Sequence, residues 1–148
     1  MKLAKALKEK NRLVGEINRL KALIIRDNSI ESTMALKKDR KQQWQDYRNA
    51  VAALIKIKTA IFKANVGIYE TIVNMGELKN ELTWITQLNT TDGVVTNSNY
   101  RGDGVSQTTY SAFLTQEDID AAIVRNQNII AELQDELDEY NANTVIPI

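Results

Sequence analysis

Carboxylates are the side chains in this sequence that come closest to a catalytic or metal-binding arrangement. The chain has no His and no Cys, which excludes His general bases, Cys nucleophiles and Cys/His zinc sites. An acidic cluster near the C-terminal end consists of Glu132, Asp135, Glu136, Asp138 and Glu139. It lacks the fixed loop spacing of an EF-hand, so we interpret it as a solvated face or a contact for basic residues. With no phosphate-binding glycine loop or nucleophile elbow, the sequence predicts a non-enzyme that binds no metal and no cofactor.

A second short motif is Arg101-Gly102-Asp103-Gly104. Its first three residues match the tripeptide that integrin ligands display at hairpin tips. The same residues are ordinary turn chemistry, and the turn is the interpretation we favour. If the motif has a function, we expect the tip to be a docking element.

Charge is unevenly distributed along a chain of zero net charge. Residues 1–48 hold 13 Lys+Arg and 6 Asp+Glu, whereas residues 116–148 hold 1 and 8. Such opposite ends predict that the basic residues approach acidic residues of the same or a neighbouring chain. Acids interspersed in the basic segment, and the absence of a recognisable nucleic-acid-binding motif, disfavour nucleic acid as the partner.

Hydrophobic periodicity predicts four helices that would hold these groups, at about residues 2–27, 33–66, 71–89 and 116–142. Thr71 is a candidate N-cap of the third helix. Whether the second and third helices are continuous remains open at this stage. In the second helix Trp44, Ile57 and Phe62 widen the apolar stripe beyond what one neighbouring helix needs.

The segment at about 90–114 differs from the helices because it is rich in Asn, Thr, Ser and Gly. β-Branched and aromatic residues flank Asp103-Gly104, which predicts a β-hairpin with its tip near Arg101–Gly104. Thr115 and Asp118 form a variant of the capping box at the start of the last helix. The final residues, Asn141–Ile148, end apolar, which is typical of a docked tail.

The last helix has the most regular pattern, with apolar residues spaced alternately four and three apart around one Asn. We call this row the oligomer seam: Ile119, Ile123, Asn126, Ile130, Leu133, Leu137 and Tyr140. Asn126 would either fix register and oligomer order between copies or lie inside a monomeric bundle. Both interpretations remain open at this point.

The order of these features resembles a family of small bacterial and phage proteins of unknown function labelled septicolysin. The matching positions are Met1–Lys10, the region of Asn65, Leu78–Leu82, Tyr110–Leu114, Leu137-Asp138 and Asn143-Thr144. The resemblance spans nearly the whole chain. It implies a helical coiled-coil core with a small hairpin, and it implies no catalytic residues.

Together these patterns predict an all-α fold: one domain, residues 1–148, of long amphipathic helices in a coiled-coil-like bundle with a small inserted β-hairpin. We expect a structural protein that self-associates as a homo-oligomer, in a phage virion or another large assembly. The alternatives are a cytoplasmic adaptor for an acidic partner or nucleic acid and, more distantly, a membrane-active helical protein. The alternating charges at the start predict no signal peptide, and no apolar run is long enough to span a membrane. The expected location is therefore the cytoplasm or a virion.

Overall fold

A computed structural model of the chain describes residues 1–98 and 104–148. The described residues are mostly helical and include one two-stranded antiparallel sheet. The chain divides into two compact units. One consists of Met1–Tyr69 with Leu137–Ile148, and the other of Glu70–Glu136. The predicted helical class with an inserted hairpin is therefore confirmed.

The first helix, α1 (Leu3–Asp27), follows its predicted pattern closely. Its buried apolar residues lie three, four or seven positions apart, so they share one face: Leu3, Ala6, Leu13, Ile17 and Leu20. Glu9 pairs with Arg12 at 2.6 Å and Glu16 pairs with Arg19 at 2.6 Å on the solvent side. The helix is thus amphipathic, with its apolar face available for packing.

That apolar face packs against α3 (Arg40–Asn65). The buried cluster between them consists of Leu3, Ala6, Leu13, Ile57, Ile61 and Ile146. Each large aliphatic side chain of this kind contributes about 1.5–3 kcal/mol when fully buried. The cluster is the main apolar core of this unit.

The C-terminal tail completes the same core, as the sequence predicts for a docked tail. Lys2 and Val145 form an antiparallel bridge. The Leu3 amide donates to the Thr144 carbonyl at 2.8 Å, and the Ile146 amide donates to the Met1 carbonyl at 2.8 Å. These hydrogen bonds position the Ile146 side chain, which is only 2% exposed, beneath the start of α1.

The predicted helix at 33–66 is wrong at its start. A single turn, α2 (Ser32–Ala35), is separated from α3 by Leu36–Asp39. The Asp39 carboxylate accepts a hydrogen bond from the Gln42 amide at 2.9 Å, so Asp39 caps a new helix. An Asp that caps its own helix competes with helix continuation, and this explains the break.

The prediction of Thr71 as an N-cap is also wrong. After α3 a 3₁₀ turn (Val66–Ile68) leads directly into α4 (Tyr69–Ile85), so the second and third predicted helices are joined with almost no interruption. Thr71 lies inside α4, is buried, and donates its hydroxyl to Glu136 at 3.0 Å. The apolar Val66, Ile68 and Tyr69 leave no polar capping group at this point, so the chain tightens by one turn instead of breaking.

Helix α4 ends at Ile85, earlier than the predicted residue 89. The hairpin strands follow as β1 (Gly93–Ser98) and β2 (Val105–Tyr110), with Gly93 paired to Tyr110 and Ser98 to Val105. Arg101, Gly102 and Asp103, the core of the predicted tip, lie outside the described residues. Gly104 is described and has φ +107°, a conformation that glycine adopts without strain.

The last helix, α5 (Gln116–Asn143), begins with the predicted capping box. The Asp118 amide donates to the Thr115 hydroxyl at 3.2 Å, and the Thr115 amide donates to the Asp118 carboxylate at 3.0 Å. The hydrogen bonds that the Asp118 carboxylate accepts from the Thr115 amide and from the Thr115 hydroxyl, at 2.9 Å, lower the pKa of Asp118. The carboxylate also lies at the positive end of the helix, which favours its charged form.

Candidate interaction surface

Helix α3 carries a second apolar face, whose side chains are exposed. Ile57 and Ile61 are buried against α1, at 3% and 7% exposure. The other face bears five large apolar side chains that are 51–73% exposed, and we call this row the α3 stripe: Trp44, Ile55, Phe62, Val66 and Tyr69. Spacings of 3, 4, 7 and 11 residues place all five side chains on the same side of α3 and its continuation. The wide apolar pattern in the sequence thus corresponds to two distinct faces.

The N-terminal end of the α3 stripe is held in a defined arrangement by aromatic contacts. The rings of Trp44 and Tyr47 stack with centroids 5.4 Å apart and planes inclined by 25°. The guanidinium carbon of Arg48 lies 6.0 Å from the centroid of the Trp44 ring, at the limit of a cation–π contact. A rigid aromatic side chain beside a cation is typical of residues that contribute most to protein interfaces.

Basic side chains border this face. The α3 sequence holds six Lys+Arg residues and one acid, Asp46; the basic residues are Arg40, Lys41, Arg48, Lys56, Lys58 and Lys63. The unit that contains the stripe, which we call the basic unit, has 16 Lys+Arg and 8 Asp+Glu, a net charge of +8. The other unit, Glu70–Glu136, is the acidic unit, with 3 and 11, a net charge of −8. The α3 stripe is therefore an apolar row with cationic borders.

Two cavities lie along α3 within the basic unit. The first has a volume of about 520 Å³ and is lined by Asp27, Lys38, Arg40 and Trp44, among others. The second, of about 490 Å³, lies between α3 and the tail, where Lys56 and Lys63 face Ile146 and Pro147. Both cavities are lined by Lys or Arg side chains together with apolar side chains.

Asp27 is a buried carboxylate beside the first cavity, 3% exposed, that the sequence indicated only as a helix end. Arg26 donates to its two oxygens at 2.7 and 2.9 Å, and the Gln43 amide group donates at 3.1 Å. These donors hold the pKa of Asp27 far below its usual range. Arg40 donates to the Asn28 carbonyl at 2.9 Å. The carboxylate therefore connects the end of α1 with the start of α3 and is unsuited to proton transfer near neutral pH.

We expect the stabilisation from Asp27 to depend on pH. Because its pKa is lowered by folding, the contribution is present above the pKa of an unfolded Asp and is lost as the pH falls through the folded value. Asp27→Asn should lower the free energy of unfolding at pH 7, and its difference from wild type should shrink at pH 3. Urea unfolding at the two pH values measures this. Glu77→Gln, which removes an exposed carboxylate of α4, is the control; an Asp27→Asn deficit that persists undiminished at pH 3 would contradict the prediction.

The oligomer seam lies on the inward side of α5. Ile119 and Asn126 are buried, at 4% and 1% exposure, and the other five seam residues are half-buried in the single chain: Ile123, Ile130, Leu133, Leu137 and Tyr140. The Nδ2 atom of Asn126 has no hydrogen-bond partner among residues 1–98 and 104–148. Because Asn126 is already enclosed, a second copy would reach it only if the chain rearranged. The seam as an oligomer contact stays a prediction, whereas the side chains of the α3 stripe are exposed.

Tyr140, at the end of the seam, has a defined role within the basic unit. Its hydroxyl donates to the Ala64 carbonyl at 2.9 Å, near the end of α3. The same hydroxyl lies over Gly67, where an added Cβ would be 2.6 Å from the oxygen. Gly67 is therefore needed for this close approach, and Tyr140 fastens α5 to the end of α3.

The acidic unit also exposes apolar side chains, close to the start of α5. Phe113 is 96% exposed, and Leu114 beside it is 42% exposed. Both lie in the segment between β2 and α5, just before the acidic first turn that contains Glu117 and Asp118. Phe113 therefore presents an exposed aromatic side chain next to acidic residues.

Arg26 pairs with Asp27, so this ion pair, like those of Arg12 and Arg19, lies within residues 1–48. The predicted approach of residues 1–48 to residues 116–140 stays a prediction.

In the described parts of the chain, no group of three or more acidic side chains is arranged to hold a metal ion, and no helix has the length and apolar character to cross a membrane.

Comparisons with known proteins identify no match for this chain. No family model, no curated protein and no solved structure matches it. The resemblance to the septicolysin-labelled family therefore stays a prediction.

Proposed function

We propose that this chain is a non-enzymatic structural protein that self-associates through the α3 stripe, as a component of a larger assembly such as a phage virion. Coiled-coil-like packing between helices of neighbouring copies is part of this proposal. The observation that supports it is the row of five large, exposed apolar side chains on one face of α3 and its continuation. The virion is the assembly suggested by the resemblance in sequence.

An exposed row of large apolar side chains has an unfavourable free energy in water. Burying one large aliphatic or aromatic side chain contributes about 1.5–3 kcal/mol, and these five are each more than half exposed. Soluble monomers rarely expose contiguous apolar patches of more than a few hundred Å² unless the patch serves to bind. A partner that covers the α3 stripe would therefore gain free energy, and another copy of the chain is present wherever the protein is.

A non-enzymatic role agrees with the way the buried and capping carboxylates are used. Asp27 is held by Arg26 and Gln43, and Asp118 by Thr115. Both have lowered pKa values, the opposite of what a general acid at neutral pH requires.

The second candidate is a cytoplasmic adaptor that binds an acidic protein or nucleic acid. It is favoured by the net charge of +8 on the basic unit. Counterion release would make such binding strongly dependent on salt concentration. A membrane-active role is the third candidate, favoured by the combination of Trp44 and Phe62 with nearby lysines.

The test is a single charged substitution in the stripe. Phe62 is 73% exposed, so Phe62→Asp should leave the fold intact. It should convert the wild-type oligomer to a monomer of 16.7 kDa, because covering the stripe would then bury an unpaired charge. Light scattering at micromolar concentration gives the mass, and circular dichroism reports the helicity.

Ala53→Asp provides the matched control. It adds the same charge to α3 at an exposed position on the side of the helix opposite Phe62. The control should keep the wild-type mass. If the wild-type protein itself remains monomeric at micromolar and at high concentration, the self-association proposal is wrong. Salt-sensitive retention of nucleic acid would then favour the adaptor, and leakage of liposomes the membrane-active protein.

A further inference from the structure

The two compact units of the chain carry equal and opposite charges, and each exposes apolar side chains. We propose, on the basis of the self-association proposed above, that a second copy of the chain docks its acidic unit onto the α3 stripe of the first. Copies would then join head to tail, with the basic unit of one against the acidic unit of the next.

The receiving surface is the α3 stripe with its cationic borders. Six Lys+Arg residues and a single acid on α3 give this face a positive field around an apolar centre. Pairing two copies of this face with each other would place six cations of one helix against six of the other. Juxtaposed like charges cost several kcal/mol at an interface, which disfavours a symmetric α3–α3 contact.

The acidic unit has the properties that this surface requires of its occupant. Its net charge is −8, against +8 for the basic unit. It presents Phe113 at 96% exposure and Leu114 at 42%, immediately before the acids of the first turn of α5. Aromatic anchors with charged rims are the usual centres of protein interfaces. Phe113 is therefore the apolar anchor, and Glu117 and Asp120 are the acids placed to meet the lysines of α3.

The charge balance of the whole chain favours this occupant over an anionic polymer or lipid surface. A chain with zero net charge gains little from long-range attraction to a uniformly anionic partner, because the acidic unit is repelled as strongly as the basic unit is attracted. In a second copy, by contrast, the acidic unit attracts the basic unit of the first copy, and the basic unit attracts the acidic unit. Two different patches in contact make a heterologous interface, which produces a closed ring or an open filament.

The test separates the two halves of the interface into two full-length variants. Phe62→Asp disables the stripe and keeps the acidic unit, and Phe113→Ala removes the anchor and keeps the stripe. Both positions are highly exposed, so both variants should fold. Removing a central aromatic anchor weakens association by about tenfold or more, so each variant alone should be monomeric.

Mixed in equal amounts, the two variants retain one intact stripe and one intact acidic unit between them. We expect a single 1:1 dimer with twice the 16.7 kDa mass, seen by light scattering, and no larger species. Phe62→Asp at doubled concentration, which should stay monomeric, is the control. The mixed dimer should also weaken as salt is raised from about 0.05 to about 0.5 M, since the screening length then falls severalfold.

The alternative outcomes are distinct. If wild type assembles but the mixture stays monomeric, or if either variant alone still assembles as wild type does, the head-to-tail arrangement is wrong while self-association stands. If wild type is monomeric, both proposals are wrong. Vesicles of phosphatidylserine and phosphatidylcholine that bind wild type and Phe113→Ala but not Phe62→Asp, with no mixed dimer, would assign the stripe to an anionic lipid surface instead.

Discussion

Ile146→Ala should lower the free energy of unfolding by about 2–5 kcal/mol, the range for truncating a buried Ile to Ala. Ile146 is only 2% exposed and belongs to the same buried cluster as Leu3, Ile57 and Ile61. Removing three carbons there leaves a cavity at the point where the tail, α1 and α3 meet. Urea unfolding followed by circular dichroism gives the free energy.

Val145→Ala is the matched control because it changes the adjacent residue of the same tail. Val145 is 68% exposed and pairs through its backbone with Lys2, so the substitution should change stability by less than about 0.5 kcal/mol. Similar losses for the two variants would mean that the backbone bridge, and not the Ile146 side chain, holds the tail. No loss for Ile146→Ala would mean that the tail does not contribute to the core.

The elements that the sequence predicts well are those set by local rules. The heptad spacing of α5, the apolar face of α1 and the Thr115–Asp118 capping box all depend on residues within a few positions of one another. The hairpin likewise follows from β-branched runs around a turn signal. Such features are encoded in short segments, so they can be identified without knowledge of the tertiary fold.

The errors arise where two local signals compete. Residues 33–39 have helix-forming composition, yet the Asp39 carboxylate binds the Gln42 amide and begins a new helix there. Thr71 is a good capping residue by type, but the apolar residues before it continue the helix, and its hydroxyl binds Glu136 instead, 65 positions away. A residue type that suits both a cap and a buried contact does not reveal which one it makes.

Burial is the property of the candidate surface that the sequence could least predict. The apolar width of α3 was visible, because Trp44, Ile57 and Phe62 cannot lie on one narrow face. Which part faces α1 depends on the path of the chain over more than 40 residues, and the fold places Ile57 inside and Phe62 outside. Asp27 is similar: it indicated a helix end, whereas its burial depends on Gln43, 16 residues later.

The division of the fold into two compact units also changes the interpretation of the charge pattern. In the sequence the basic and acidic segments are simply the two ends of the chain. In the fold, the two compact units have net charges of +8 and −8. The basic unit includes Lys56, Lys58 and Lys63, and the acidic unit includes Glu70, Glu77 and Glu81. Complementary fields of this size accelerate encounter and fix orientation more than they add affinity. The apolar contacts of Phe62 and Phe113 would then provide the strength of the association.

Asn126→Leu should raise the free energy of unfolding by about 1–3 kcal/mol, the cost of leaving a buried donor without a partner. Asn126 is 1% exposed, and its Nδ2 atom lacks a partner within the part of the chain that the structure describes. Leu has the same number of side-chain heavy atoms in the same branched arrangement, so it fits the site with little strain and replaces the amide with methyl groups. Thermal or urea unfolding measures the gain.

Asn128→Leu is the matched control for Asn126→Leu, since Asn128 is exposed two positions further along α5 and the same substitution there should be nearly neutral.

The two variants also decide between the two roles of Asn126 that the sequence left open. An Asn enclosed in its own chain does not set the number of copies, so Asn126→Leu should leave the mass of the assembly unchanged while it raises the melting temperature. A changed mass would show that Asn126 fixes register between copies, as single buried Asn residues do in coiled coils. A lowered stability would show instead that the Asn126 amide has a hydrogen-bond partner worth more than the apolar replacement, and that a polar group at this position is required by the fold.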